Sequence, residues 1–220
     1  MEQEFLSGLT PTEQNELRQL GRVRRWPAGA TVLNEGDRST TVILVLAGRA
    51  KVFSITDQGQ EIILAVRGSG ALLGELSAMD GGARTASVSA LEPLETLVVP
   101  APAFLTFVRT HPNVSARMVQ LIVSRLRDAD RKRVEFGAYD TLGRVALRLV
   151  ELAERFGAPD GRRIRITLPF TQDELAGWIG SSREAVAKAL RTLRDQGIIE
   201  THRRAVSVLD LDGLRARARS

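Results

Sequence analysis

Glycine and proline are spread unevenly along this 220-residue chain, and their spread divides it into two textures. Between Val23 and Pro100, Gly29, Gly36, Gly48, Gly59 and Gly70 separate short apolar runs: "TVLNEGD", "TVILVLAGRAKVF", "EIILAVRGSGALLG" and "TASVSALEPLETLVV". Runs of this length between turn signals predict strands in a small antiparallel roll or sandwich. The preceding "LTPTEQNELRQL" predicts a short helix, with Thr10 as N-cap and Pro11 at its first position. From Asn113 to Phe136 there is neither glycine nor proline. Met118, Leu121, Ile122, Arg125, Ala129 and Lys132 recur there near helical spacing, which predicts one helix of about 25 residues. It is too charged beyond Ser124 to be wholly buried in one small domain. Its stripe, running through Met118, Leu121, Ile122 and Ala129, is expected to meet a second copy in a parallel two-helix seam. Gly137 to Asp140 is the expected joint, because glycine weakens helix continuity. Beyond it, "DTLGRVALRLVELAERFG" reads as an amphipathic helix and "RRIRITLP" as a strand. Two short helices and a hairpin, "GIIETHRRAVSVLD", follow.

Composition excludes several kinds of chemistry. The chain has no cysteine, which removes disulfides, thiolate metal sites and iron–sulfur clusters. Its two histidines, His111 and His202, are too far apart for metal-ligand spacing, and none falls between Val23 and Pro100. A metal-dependent enzyme built on a β-roll needs clustered histidine and carboxylate ligands, so that alternative is not expected, and neither is a haem sensor. No metal site is expected anywhere. No apolar run approaches a membrane span, and Met1 to Leu20 lacks the basic start and apolar middle of a signal peptide, so a cytoplasmic protein is expected. The net charge is +5, and residues 140–220 hold most of the excess, with 15 Lys+Arg against 11 Asp+Glu. Alone this is a weak pointer to nucleic acid.

The basic part contains "TQDELAGWIGSSREAVAKALRTLRDQGIIE", residues 171–200. Thr171 with Glu174, and Ser181 with Glu184, each fit a capping box, and Gly180 supplies a tight turn between the two helices. Helix, glycine turn and helix at this spacing predict a helix-turn-helix, and the following hairpin makes it winged, with His202, Arg203 and Arg204 at the tip. Ser182, Arg183 and Lys188 share one face near the start of the second helix, with Glu184 beside them. Arginine can grip guanine O6 and N7, and a carboxylate can accept from cytosine N4.

The second candidate site is "GELSAMDGGARTAS", residues 74–87. Gly74 permits close approach or a left-handed backbone. Arg84 offers a planar fork of donors for a phosphate, and Thr85 adds a hydroxyl. Glu75 would repel a phosphate but can accept from a sugar hydroxyl. An acid for a ribose and an arginine for a phosphate describe a nucleotide. The structural alternative is a Glu75–Arg84 salt bridge closing the loop.

On these residues the chain resembles the cyclic-AMP receptor protein/fumarate-nitrate regulator (Crp/Fnr) family of bacterial transcription factors over nearly its whole length. "PAGATVLNEGD" and "LAGRAKV" resemble the family's roll, "GELSAMDGGARTAS" its phosphate-binding cassette and "SSREAVAKAL" its recognition helix. The resemblance implies an α+β fold: an N-terminal cyclic-nucleotide-binding β-roll (a double-stranded β-helix) over residues 1–110, a long dimerisation helix over 111–138 and a C-terminal winged helix-turn-helix over 139–220. It implies a ligand set of Gly74, Glu75, Leu76, Arg84, Thr85 and Asp130, with Glu75 on the ribose 2′-hydroxyl and Arg84 and Thr85 on the cyclic phosphate. Arg183, Glu184 and Lys188 would read a TGTGA-like half-site. Thr171, Gln172 and Ser182 would hold DNA phosphates, with Arg203 and Arg204 on the wing. The implied effector is cyclic AMP; the implied partners are double-stranded DNA, a second copy of the chain and RNA polymerase, with no membrane. Relatives that respond to cyclic AMP carry two adjacent polar residues where this chain has Ala129 and Asp130. Cyclic GMP, cyclic di-GMP and ligand-free activity therefore stay open.

Overall fold

The computed structural model describes residues 4–38, 40–167, 171–202 and 205–218, which form two compact units. The first comprises Met1–Thr56 and Ile63–Ala129; the second comprises Asp57–Ile62 and Asp130–Ser220.

In the first unit a turn of 3-10 helix, Phe5–Gly8, precedes α1 (Pro11–Gln19). Thr10 caps α1 through a full capping box: its hydroxyl accepts from Glu13 N, and the Glu13 carboxylate accepts from Thr10 N at 2.8 Å. Eight described strands follow: β1 (Arg22–Trp26), β2 (Thr31–Leu33), β3 (Thr41–Ala47), β4 (Ala50–Ile55), β5 (Glu61–Arg67, its first two residues counted with the second unit), β6 (Leu72–Leu73), β7 (Ser87–Ala90) and β8 (Leu94–Pro100). A short helix, α2 (Glu75–Asp80), sits between β6 and β7. The strands make two four-stranded sheets, in the orders β1-β8-β3-β6 and β2-β7-β4-β5. Strand β3 is apolar on both faces, and its alternation sorts the core. Val42 and Leu44 join the cluster under the helices, with Phe5, Leu97 and Phe104. Ile43 and Val45 join the roll interior with Leu73, Val88 and Leu94.

Two more helices, α3 (Ala101–Thr110) and α4 (Pro112–Ala138), leave the roll. At 27 residues α4 matches the expected length, but Gly137 lies inside it and the chain breaks only at Tyr139 and Asp140. The expected dimer stripe is corrected at two of its four positions, while Ile122 is half-buried and Ala129 exposed. Met118 and Leu121 are buried in the cluster with Phe5, Phe104 and Phe107, on the face turned to their own roll. The outward apolar residues are offset from them: Val119 and Leu126, each 61% exposed, and Val123. Successive helical residues turn by about 100°, so one position's offset separates the two faces.

The second unit contains α5 (Thr141–Phe156), β9 (Ala158–Asp160), β10 (Arg163–Thr167), α6 (Gln172–Ile179), α7 (Arg183–Asp195), β11 (Ile199–His202), β12 (Ala205–Val208) and α8 (Leu211–Arg217). Its strands form one sheet in the order β11-β12-β10-β9. The inward faces of α5 and α7 bury Val145, Leu149, Leu152, Val186, Leu190 and Leu193. Strand β9 and helix α8 lay outside the sequence expectations. Among the described residues no helix is long and apolar enough to cross a membrane.

Candidate functional site

The loop that begins at Gly74 is built around a buried arginine. Gly74 has φ +73°, and a Cβ there would collide with the Arg84 guanidinium, so both the backbone and the space exclude a side chain. Arg84 is pinned from behind: its amide donates to Asp37 O at 2.8 Å, and its carbonyl accepts from Gly36 N at 2.9 Å. Its Nη1 donates to Gly74 O at 2.6 Å and to Ser77 Oγ at 3.0 Å, and its Nη2 donates to Thr41 O. All three acceptors are neutral. Burial lowers the guanidinium pKa from its ordinary value, and the nearby Glu75 and Asp37 offset this only in part.

Glu75 opens α2 and is 1% exposed. It does not close the loop onto Arg84. Its Oε1 pairs with Arg125 of α4, whose Nη2 also donates to Leu72 O at 2.6 Å. Its Oε2 is buried without a hydrogen-bond partner among the described residues. The structure thus brings Gly74, Glu75 and Arg84 together and adds Arg125, which the expected ligand set omits. A charged residue recurring at the inward register of α4 was the available signal. Leu76 and Thr85 are exposed on the same segment, and Asp130 is exposed on α4.

In the second unit Thr171 caps α6 by the expected box, accepting from Glu174 N at 3.1 Å, while the Glu174 carboxylate accepts from Thr171 N at 2.7 Å. Gly180 takes the left-handed turn, with φ +66°. The second cap is corrected. Ser182, not Ser181, starts α7, its hydroxyl accepting from Ala185 N at 3.2 Å; the Ser181 hydroxyl instead meets Thr141 Oγ1 at 2.9 Å. Glu184 is therefore not the third helical residue and makes no reciprocal cap. Its carboxylate pKa is held below the ordinary value by its own backbone N–H, then by Ser182, with Arg183 adding to the effect.

Arg183, Glu184 and Lys188 are exposed along α7, opposite the buried Val186, Ala189 and Leu190. Arg191, also exposed, continues the line of Glu184 and Lys188 and was not among the expected contacts. Arg183 lies 3.7 Å from the Asp173 carboxylate of α6. Gln172 opens α6, but its side chain, like Arg203 and Arg204, lies outside the described residues. Among the described residues no group of three or more histidines and acids is placed to hold a metal ion.

Residues 23–111 match the cyclic nucleotide-binding domain family, and residues 143–217 match the Crp-like helix-turn-helix domain. Over 194 residues, 88% of this chain and 87% of the relative, the sequence is 31% identical to the CRP-like cAMP-activated global transcriptional regulator of Mycobacterium tuberculosis. The chain belongs to the Crp/Fnr family. It is a transcription regulator with a cyclic nucleotide-binding domain and a DNA-binding helix-turn-helix. The cyclic AMP receptor protein of Thermus thermophilus is also 31% identical, over 87% of this chain and 86% of its own. Among solved structures, FixK2 of Bradyrhizobium japonicum shares the fold at a TM-score of 0.80 and 20% identity, covering 89% of this chain and 96% of that one. The catabolite activator protein of Thermus thermophilus aligns at 30% identity and a TM-score of 0.55, covering 97% of each chain. The Mycobacterium tuberculosis relative is named as a regulator of transcription.

Proposed function

We propose that this Crp/Fnr-family member is a cytoplasmic homodimer whose binding to a palindromic, TGTGA-like operator is controlled by cyclic AMP. Residues 1–110 are the sensor, 111–138 the dimerisation helix and 139–220 the DNA reader. One observation carries the ligand reading. Arg84 is a buried cation whose three close acceptors are all neutral, and it lies in the same loop as a buried Glu75 oxygen that accepts nothing from the described residues. A buried cation calls for an anion, and a buried carboxylate oxygen calls for a donor. A cyclic nucleotide supplies both, with its phosphate for Arg84 and Thr85 and its ribose 2′-hydroxyl for Glu75. Leu76 adds apolar surface beside them. The names of the 31%-identical relatives support cyclic AMP as the nucleotide.

The dimer rests on the outward stripe Val119, Val123 and Leu126, with a second copy as its cover. The exposed face of α7 reads bases through Arg183, Glu184 and Lys188. Thr171, Gln172 and Ser182 hold phosphates, and Arg203 and Arg204 contact DNA from the wing; the DNA-bound dimer then engages RNA polymerase. A second reading is cyclic GMP, favoured by the pair Ala129–Asp130. Alanine offers no hydrogen bond, whereas a carboxylate can accept from two adjacent donors on guanine and only one on adenine.

Calorimetric titration with cyclic AMP, cyclic GMP and cyclic di-GMP ranks these ligands. Arg84→Leu and Glu75→Ala are each expected to weaken binding about tenfold or more, since a charge-assisted hydrogen bond contributes about 1.5–3 kcal/mol. Unchanged affinity in both variants would refute the cassette reading.

A further inference from the structure

The joint between the long helix and the DNA-reading elements is bridged by a buried ion pair. Glu135, in the last turns of α4, is 5% exposed; its Oε2 pairs with Arg148 of α5, which is 6% exposed. Arg131 approaches the other oxygen of Glu135 at 3.7 Å. Arg148 also donates to Glu151 at 2.6 Å, and its guanidinium lies 5.8 Å from the ring centroid of Trp178 on α6. One residue beyond Glu135, the Phe136 ring lies against Gly180, where a Cβ would strike it. Arg144 covers the same ring at 5.5 Å and donates to Tyr139 O at 2.9 Å. Asp140 caps α5 through Gly143 N at 2.8 Å, and Thr141 meets Ser181, beside the turn that aims α7, at 2.9 Å.

A buried ion pair is a poor stabiliser, because desolvating two charges offsets most of their attraction, but its fixed geometry can specify one arrangement. We infer that Glu135 and Arg148 are positioning residues for DNA reading: they bolt the last turns of α4 to α5 and α6 and make Gly137 to Asp140 a rigid bracket. Gly137, around which a Cβ would meet no described residue within 4 Å, would otherwise weaken the helix there. With the bolt in place, Phe136 holds the Gly180–Ser181 turn, so the direction of α7 follows the end of α4. Any hinge that moves the reader then lies before Arg131.

The DNA arm of the test rests on the proposed operator reading; the exchange arm does not. Full-length protein carrying Glu135→Met with Arg148→Met loses both charges of the pair while Glu151 keeps Arg155 at 3.5 Å, and Glu135→Gln is the milder variant. Hydrogen exchange at the amides of Tyr139, Gly143 and Arg144 is expected to quicken about tenfold in the double variant, while Leu149 and Leu152 in α5 keep the parent's rates. Affinity for a duplex carrying an inverted TGTGA repeat is expected to fall about fivefold, and affinity for a scrambled duplex to stay constant. Glu135→Gln, which keeps one acceptor for Arg148, is expected to fall between parent and double variant. If either folded variant keeps the parent's exchange at the joint, the bolt is refuted. A parent that does not distinguish the two duplexes counts against the operator reading, and the exchange rates still decide the bolt.

Discussion

The close approach of Gly74 and Arg84 makes their coupling a sharp test of the cassette's construction. Gly74→Ala introduces two separate penalties. The first is backbone: at φ +73° a Cβ costs about 1–2 kcal/mol. The second is the guanidinium, which the new methyl would displace from Gly74 O, Ser77 Oγ and Thr41 O. At about 1 kcal/mol net for each hydrogen bond, that displacement costs about 3 kcal/mol. Gly74→Ala alone should therefore destabilise the first unit by about 4–5 kcal/mol. In an Arg84→Ala background the backbone penalty of about 1–2 kcal/mol remains, together with a 3.1 Å approach of the new Cβ to the Leu33 side chain that a small shift relieves, which leaves a coupling of about 3 kcal/mol in the double-mutant cycle. The measurement is urea unfolding followed by tryptophan fluorescence. Trp26 lies in the first unit and Trp178 in the second, so a Trp178→Phe background isolates the transition of interest. If Gly74→Ala costs the same with and without Arg84, within about 0.5 kcal/mol, the steric argument is wrong and Gly74 serves its backbone angle alone.

Two further outcomes follow from the same structure. Leu126→Asp places a charge on the outward stripe of α4 and should convert a dimer to monomer in sedimentation; an equally exposed control, Val134→Asp, near the end of the helix, should have a smaller effect, and equal loss from both would move the seam. Burial raises the pKa of Glu151, but the charges of Arg148, Lys132 and Arg155 more than offset this and leave it below its ordinary value of 4.5. An acid with a lowered folded-state pKa contributes stability above its unfolded value and loses it as the pH falls through the folded one. The contribution of Glu151 to the second unit's stability should thus be level from neutral pH to about 4.5 and fade below it, with a shallower acid fall in Glu151→Gln; identical acid limbs in denaturant melts would refute the assignment.

Much of the local structure is legible in the residues themselves, because the forces that set it act within a few positions. Thr10 and Thr171 cap their helices as the sequence spacing predicts, since a hydroxyl, a backbone N–H and a glutamate three residues on suffice for the box. Gly180 marks the helix-turn-helix for a similar reason: its left-handed angle is a property of one residue. Gly74, Glu75 and Arg84 declare a candidate anion and hydroxyl site by their chemistry within one short loop. Ser181 and Ser182 show the limit of such reading, because two adjacent hydroxyls can both satisfy the pattern and only the turn's path selects one.

Tertiary structure decided what lies across each face. The spacing of Met118 and Leu121 identifies a stripe on α4, but a helix period carries no sign of its partner, and the roll's own core claimed that stripe and left Val119, Val123 and Leu126 outward. The partner of Glu75 was equally hidden. Arg84 is the nearer arginine in sequence, yet the carboxylate pairs with Arg125, 50 residues away, while Arg84 is drawn to backbone carbonyls. The pairing of Glu135 with Arg148 has the same character: on the sequence they are two among many surface-type charges, and only packing buries them. Helix-cap hydrogen bonds and backbone angles act between chain neighbours and can be read along the sequence. Burial is a property of the whole folded chain, and it determines which charges pair and which apolar face is left for a partner.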